Sequence, residues 1–325
     1  MLRLWSEPGR EESNRCCTPD AMMQARRVAA ILGIPFYAID GREKFRNTVV
    51  QSFFDGYSSG ETPNPCITCN QVMRWGMLLD EALGIGADFL ATGHYARLKK
   101  LPDGLVSLLM GLDPAKDQSY VLSMLTQPQL QRTLLPVGGF LKTEIRRLAQ
   151  QYELPVAERP DSQDLCFLAG GDYRQFLGRH LPETQTPGPI VDRQGKILGQ
   201  HDGLVNYTIG QRKGIKIAAE KPLFVLEKDF KTNSLVVGHE EMLGRKELIL
   251  QSVNWISGYA PMGQIEAAVK IRYKATPVTA CVTPLENGRA RVEFQQALRD
   301  ITPGQIAVMM HNEIVLGGGW ISRED

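Results

Sequence analysis

The chain has 325 residues, 43% of them hydrophobic and 22% charged, and its 37 Lys+Arg against 36 Asp+Glu leave a net charge of +1. That length exceeds one ordinary hydrophobic core and implies two or three domains. The near-neutral balance excludes a whole-molecule field that captures nucleic acid, so any such contact needs a local basic patch, and no apolar run nears the ~20 residues of a membrane helix.

Residues 1–7 carry neither the apolar core of a secretion signal nor the Arg/Ser pattern of a transit peptide, so a reducing cytoplasm is expected. There the six cysteines (Cys16, Cys17, Cys66, Cys69, Cys166 and Cys281) serve as thiols, ligands or catalysts rather than as structural crosslinks.

In chain order, Leu2 to Trp5 reads as a short strand. Thr18-Pro19-Asp20 starts a helix, with a hydroxyl cap, proline at the first position and an acid in the first turn, and Gly33 closes it. Ile34 to Ile39 reads as a buried strand, followed by helices over about 43–57 and 66–83 and a strand over 88–92. This alternation predicts an α/β fold with a parallel sheet covered by helices. A strand over 105–109 precedes helices near 119–125, 127–134, 143–152 and 172–181. A Pro/Gly stretch over 182–189 then marks a boundary. Beyond it come short strand-like segments at 190–191, 223–227, 234–237, 267–273, 279–283 and 289–294. Glu286-Asn287-Gly288-Arg289 is a hairpin signal, and the last ~80 residues read as a small β-barrel or sandwich. The expected division is 1–181, 182–245 and 246–325.

Two segments carry chemistry: Thr62-Pro63-Asn64-Pro65-Cys66-Ile67-Thr68-Cys69-Asn70 and Asp161-Ser162-Gln163-Asp164-Leu165-Cys166-Phe167. Asn64 can cap a helix that Pro65 opens, placing Cys66 and Cys69 near its first turn, where the dipole favours thiolate. Their i, i+3 spacing puts both on one face. Three cysteines converging with Cys166 would suit an iron–sulfur cluster with an open iron site, or zinc; the alternative is Cys66 as a small buried residue. Cys16-Cys17 read as incidental loop residues and Cys281 as a core residue of an alternating strand.

With those segments, Ala91-Thr92-Gly93-His94-Tyr95, Lys116-Asp117-Gln118-Ser119-Tyr120, Tyr207 to Gly214, Lys270-Ile271-Arg272-Tyr273, Thr302-Pro303-Gly304-Gln305 and Leu316 to Gly319 closely resemble the bacterial tRNA-specific 2-thiouridylases, members of the PP-loop ATP-pyrophosphatase superfamily. The resemblance implies a PP-loop domain, a small central domain and a C-terminal β-barrel. It implies ATP-dependent adenylation, with Mg2+, of O2 of the wobble uridine in glutamate, glutamine and lysine tRNAs. A protein-bound persulfide then displaces AMP, with sulfur from a cysteine desulfurase or a relay protein. By the same resemblance Cys69 reacts in the transfer, and Cys166 carries the persulfide and can close a disulfide with it. Cys66 stands where many relatives have an aspartate for acid/base work. Gly93 and Leu2 lie against the adenosine; Asn64, Pro65, Cys66, His94, Lys116, Asp117, Gln118, Arg272, Tyr273 and Gln305 contact tRNA. The superfamily's Ser-Gly-Gly-x-Asp-Ser phosphate loop is not present in the chain. The expectation is therefore that one strand, that loop and one helix are missing and that the chain as written does not hydrolyse ATP. Two other readings are a non-catalytic tRNA-binding fragment and a cluster-dependent thiol protein built on Cys66, Cys69 and Cys166.

Overall fold

The structure is a computed structural model that describes residues 1–7, 18–155, 157–158, 165–168, 171–299 and 301–323. Cys16 and Cys17, and residues 161–164 of the Cys166 motif, lie outside them. No helix among the described residues is long and apolar enough to cross a membrane.

The first half carries strands β1 (Leu2–Arg3), β2 (Ile39–Asp40), β3 (Leu90–Ala91), β4 (Ala96–Lys100), β5 (Val106–Met110) and β6 (Thr133–Leu134). β1 pairs with β2 and β3 with β6, both parallel, so the expected parallel sheet is present as two narrow ribbons. The buried strand expected over 34–39 is not formed: only Ile39 joins a ladder, and Ile34 and Tyr37 are each 56% exposed. Among the described residues the ribbon offers that segment one neighbour, β1, which it meets only at its end, where the Met1 amine donates to the Tyr37 carbonyl.

Helix Pro19–Ile31 starts as its sequence directs, with Thr18 Oγ1 accepting from the Ala21 amide at 3.1 Å, and Gly33 ends it at φ 64°. Two longer helices, over 42–58 and 65–84, each contain an internal π-helical stretch, Arg46–Val50 and Asn70–Leu78. Their apolar faces enter two cores. Phe45, Val49, Phe53 and Cys69 pack with Trp5, Phe167 and Phe176, whereas Ile67, Trp75 and Leu79 pack with Val106, Leu108, Ile306, Val308 and Val315. The helix expected over 127–134 stops at Gln131, because Thr133 enters β6 and its hydroxyl takes the Trp75 indole N–H at 2.6 Å.

The middle segment folds β7 (Gly188–Val191), β8 (Ile197–His201), β9 (Phe224–Asp229) and β10 (Ser234–Gly238) into a sheet of order β8-β7-β10-β9. The last segment supplies β11 (Arg245–Trp255), β12 (Ile265–Lys270), β13 (Val278–Leu285), β14 (Arg289–Leu298), β15 (Ile306–His311) and β16 (Ile314–Ile321). They run in the order β11-β14-β13-β12-β15-β16, and antiparallel pairing of β11 with β16 closes the barrel. The β13–β14 hairpin turns where its sequence signals it, with Asn287 and Gly288 at φ 58° and 66°. The β4–β5 hairpin docks on β16 through Leu108 and Leu109, so the first half and the barrel share a ladder and a core.

Candidate functional site

Helix Pro65–Cys69 begins with the buried Pro65 at its first position, but the Asn64 side chain makes no cap. It turns instead to the Tyr120 hydroxyl, which donates onward to the Ile306 carbonyl at 2.8 Å. The two helix cysteines, expected to share one face, have different surroundings. Cys66 opens to solvent, whereas Cys69 is 8% exposed and packs in the aromatic core. Cys166 comes to that same core from far along the chain: Phe167 beside it is buried edge-on against Trp5 and Phe53, at 6.3 and 5.2 Å between ring centroids. Cys166 is a free thiol, so no Cys69–Cys166 disulfide is formed in this structure.

The helix dipole was expected to lower the thiol pKa values. At Cys66 the opposite holds: although solvent reaches the residue, the protein around its thiol desolvates it and pushes its pKa up, with Arg74 opposing. A helix N-terminus contributes only a partial charge, and crowding outweighs it. Among the described residues no three His, Cys, Asp or Glu side chains converge to hold a metal ion. With Cys66 facing solvent and Cys69 facing the core, the cysteines do not fit a cluster.

Gly93 follows β3, beyond its carboxyl end, where ligands of parallel sheets sit, and no atom lies within 4 Å of where its Cβ would be. That edge is open. His94, next to it, is 9% exposed, with Nδ1 2.8 Å from Thr92 Oγ1 and its ring 5.4 Å from that of Trp75. Burial first, and Arg74 second, pull its pKa down to about 3, so it is a neutral imidazole at physiological pH. Leu2 meets Met73 and Met77 around Gly41, where an added Cβ would lie 3.2 Å from Leu2 Cδ1 and 2.9 Å from Met73 Cε.

The 116–118 loop is held from within. Buried Asp117 accepts from the Gly111 amide (2.8 Å), the Ser119 amide (3.1 Å) and the Ser119 hydroxyl (2.9 Å). Gln118 exchanges two bonds with the backbone of Tyr95, and Lys116 is half-buried. Arg272 and Tyr273, expected on a barrel strand, lie in the turn just past β12. There the Arg272 guanidinium donates to Thr302 Oγ1 and to the Ile209 carbonyl, and the Tyr273 hydroxyl donates to the Asp117 carbonyl at 3.4 Å. Gln305 donates to the Thr62 carbonyl at 2.5 Å and the Thr62 amide donates to Pro303. The barrel is thus bolted to the cysteine loop, and Tyr273 sits close enough to Cys66 to feel its charge.

Family profiles match in the same order as these parts: "tRNA methyl transferase HUP domain" over residues 1–170, "tRNA methyl transferase PRC-barrel domain" over 174–239 and "Aminomethyltransferase beta-barrel domain" over 245–321. The chain is 46% identical over 322 residues to a tRNA-specific 2-thiouridylase MnmA of Magnetococcus marinus, covering 98% of this chain and 90% of that protein. A protein of the same name from Geotalea uraniireducens is 46% identical over 99% of this chain and 85% of its own length, and one from Moorella thermoacetica 45% identical over 98% and 90%. The chain belongs to the tRNA-specific 2-thiouridylase family. The expectation that one strand, the phosphate loop and one helix are missing is not borne out by these matches, which cover 90% and 85% of two relatives' own length.

Three residues of this 2-thiouridylase fold were missed as site residues. Arg74 acts electrostatically on both Cys66 and His94, and Tyr120 links Asn64 to the barrel while meeting Tyr273 edge-on at 5.9 Å. Lys270 lies over both rings, at 5.9 and 5.6 Å. Tyr120 and Lys270 stood inside quoted motifs, whereas Arg74 reaches Cys66 only through the geometry of helix 65–84.

Proposed function

We propose that this chain is a transferase that replaces O2 of the wobble uridine in glutamate, glutamine and lysine tRNAs with sulfur. The observation that carries the reading is that Cys69 and Cys166, distant in sequence, pack in one aromatic core, three residues along the helix from the solvent-facing Cys66. In this reading uridine O2 attacks the α-phosphorus of ATP and pyrophosphate leaves. The terminal sulfur of a Cys166 persulfide then attacks C2 and AMP leaves. Cys69 thiolate attacks Cys166 Sγ, releasing 2-thiouridine and leaving a Cys69–Cys166 disulfide for an external thiol to reduce. A cysteine desulfurase or a relay protein supplies the persulfide.

Cys66, protonated at neutral pH by its crowded site, offers a hydrogen-bond donor to the base where a carboxylate would accept. Neutral His94 likewise bonds the RNA without charge. Gly93 leaves room for the adenosine, Leu2 flanks it, and the nucleotide brings magnesium on its own phosphates. Lys116, Arg272 and the half-exposed Tyr273 face the anticodon loop, with the part of the ring that Lys270 and Tyr120 leave uncovered offered to an unstacked base. Asp117, Gln118, Asn64 and Gln305 shape that surface through the internal bonds described above, with Pro65 fixing the start of the helix.

The test is formation of 2-thiouridine in glutamate tRNA from ATP and a persulfide donor, comparing wild type with Cys166→Ser. The variant is expected to bind tRNA normally and to form no product. Retained thiolation would refute the role of Cys166. Binding without product in wild type would leave a non-catalytic tRNA-binding protein.

A further inference from the structure

A cleft of about 550 Å³ lies between the β8-β7-β10-β9 sheet and the barrel, with no cysteine in its lining. Its walls carry Arg193, Lys228, Arg245, Arg299 and Arg323, against the carboxylates Asp192 and Glu227. Asp192 Oδ1 already accepts the Gln194 and Lys196 amides at 3.0 and 2.9 Å. Arg299 pairs with Glu240, and Arg323 donates to the Ser59 carbonyl at 2.6 Å.

Lys228 is the buried one among these cations. It is 4% exposed, and its buried Nζ has no hydrogen-bond partner. Its ammonium lies over the Phe230 ring at 5.8 Å, which the Arg323 guanidinium shares at 5.7 Å. Glu61 acts on it through space without forming an ion pair. Burial, with Arg323 adding repulsion, pulls its pKa down to about 8, so it remains mostly an ammonium at neutral pH. A buried ammonium with three unused donors is costly unless a negative group arrives to meet them.

We propose that this cleft is a phosphate-binding site in which Lys228 and Arg193 engage the oxygens of a phosphate group. Forked guanidinium donors beside a compact ammonium match a tetrahedral, multiply charged oxyanion. Two sources share that chemistry, a phosphodiester of the RNA backbone and free inorganic phosphate. The position favours RNA: Gly60 and Pro303 border the cleft, and the residues after each, Glu61–Thr62 and Gly304–Gln305, hold the cysteine loop. The RNA source rests on the tRNA reading above; the phosphate site does not.

The experiment uses the full chain as wild type, Lys228→Met and Arg193→Gln. Melting temperature is measured in inorganic phosphate and in chloride at equal ionic strength, and glutamate-tRNA affinity across a salt series. Phosphate is expected to raise the melting temperature of wild type and not that of K228M, with the exposed R193Q intermediate. For an RNA source, K228M also weakens tRNA binding about tenfold and lowers the salt slope by about one phosphate. Loss of the phosphate shift with unchanged tRNA affinity assigns the site to free phosphate. An equal phosphate shift in wild type and K228M overturns the proposal, as does no shift in wild type together with unchanged tRNA affinity in K228M. Should K228M not fold, R193Q decides: an undiminished phosphate shift overturns the site. None of these readouts needs thiolation, so they stand apart from the sulfur-transfer reading.

Discussion

At the scale of single residues, His94 shows how burial changes a chemical role. A histidine beside a sheet edge and a proposed RNA site invites reading as a cation, yet its ring is enclosed against Trp75 and Thr92 and its pKa falls to about 3. In the unfolded chain the same group titrates near 6.5. Between those values the unfolded state binds a proton that the folded state refuses. His94 therefore contributes stability that is complete above about pH 6.5 and is lost as pH falls toward 3, at about 1.4 kcal/mol per pH unit. A His94→Gln variant is expected to show a flatter acid limb than wild type when unfolding free energy is measured by urea titration from pH 7 to 4. Parallel limbs would mean that His94 is protonated in the fold. The Thr92-Gly93-His94 motif singled out His94 as a candidate site residue but not its neutrality, because the Trp75 indole and Arg74 come from a helix that precedes it. Cys66 gives the same lesson. Its helix-start position was legible, and the crowding that reverses the effect of the dipole was not.

At the scale of elements, most helices and the Asn287-Gly288 hairpin followed from local signals: caps, proline at the first position, and glycine or asparagine at positive φ. Segment 34–38 failed because an apolar run specifies burial only when a neighbour covers it, and β1 meets that segment only at its end. The element with most bearing on chemistry is the turn over 165–168. It has no regular hydrogen-bond ladder to hold it, and Phe167 anchors it by entering a cluster with Trp5, Phe45, Phe53 and Phe176. Phe167→Ala is expected to lose about 3–5 kcal/mol of stability. It should lower 2-thiouridine formation by more than the folded fraction falls, because Cys166 loses its place beside Cys69. Denaturant titration paired with the thiolation rate separates the two effects; a rate that tracks the folded fraction alone would show that Phe167 does not position the thiol.

At the scale of the whole molecule, the expected three-part architecture is present, but what joins the parts was not legible. Pairing of Leu108 and Leu109 with β16, the Gln305–Thr62 bond and the Tyr273–Asp117 bond are contacts between residues remote in sequence, for which one chain carries no local signal. They make the barrel a wall of the cysteine site rather than a tethered appendage. The fold therefore holds Cys69 and Cys166 in one core, while Tyr273 of the barrel segment lies near enough to Cys66 to interact with it electrostatically. The most direct test of this arrangement as a sulfur-transfer centre is a single turnover on glutamate tRNA without reductant, followed by peptide mapping of alkylated thiols. The account predicts one Cys69–Cys166 disulfide for each 2-thiouridine formed. Formation of 2-thiouridine with both thiols still open to alkylation would contradict it.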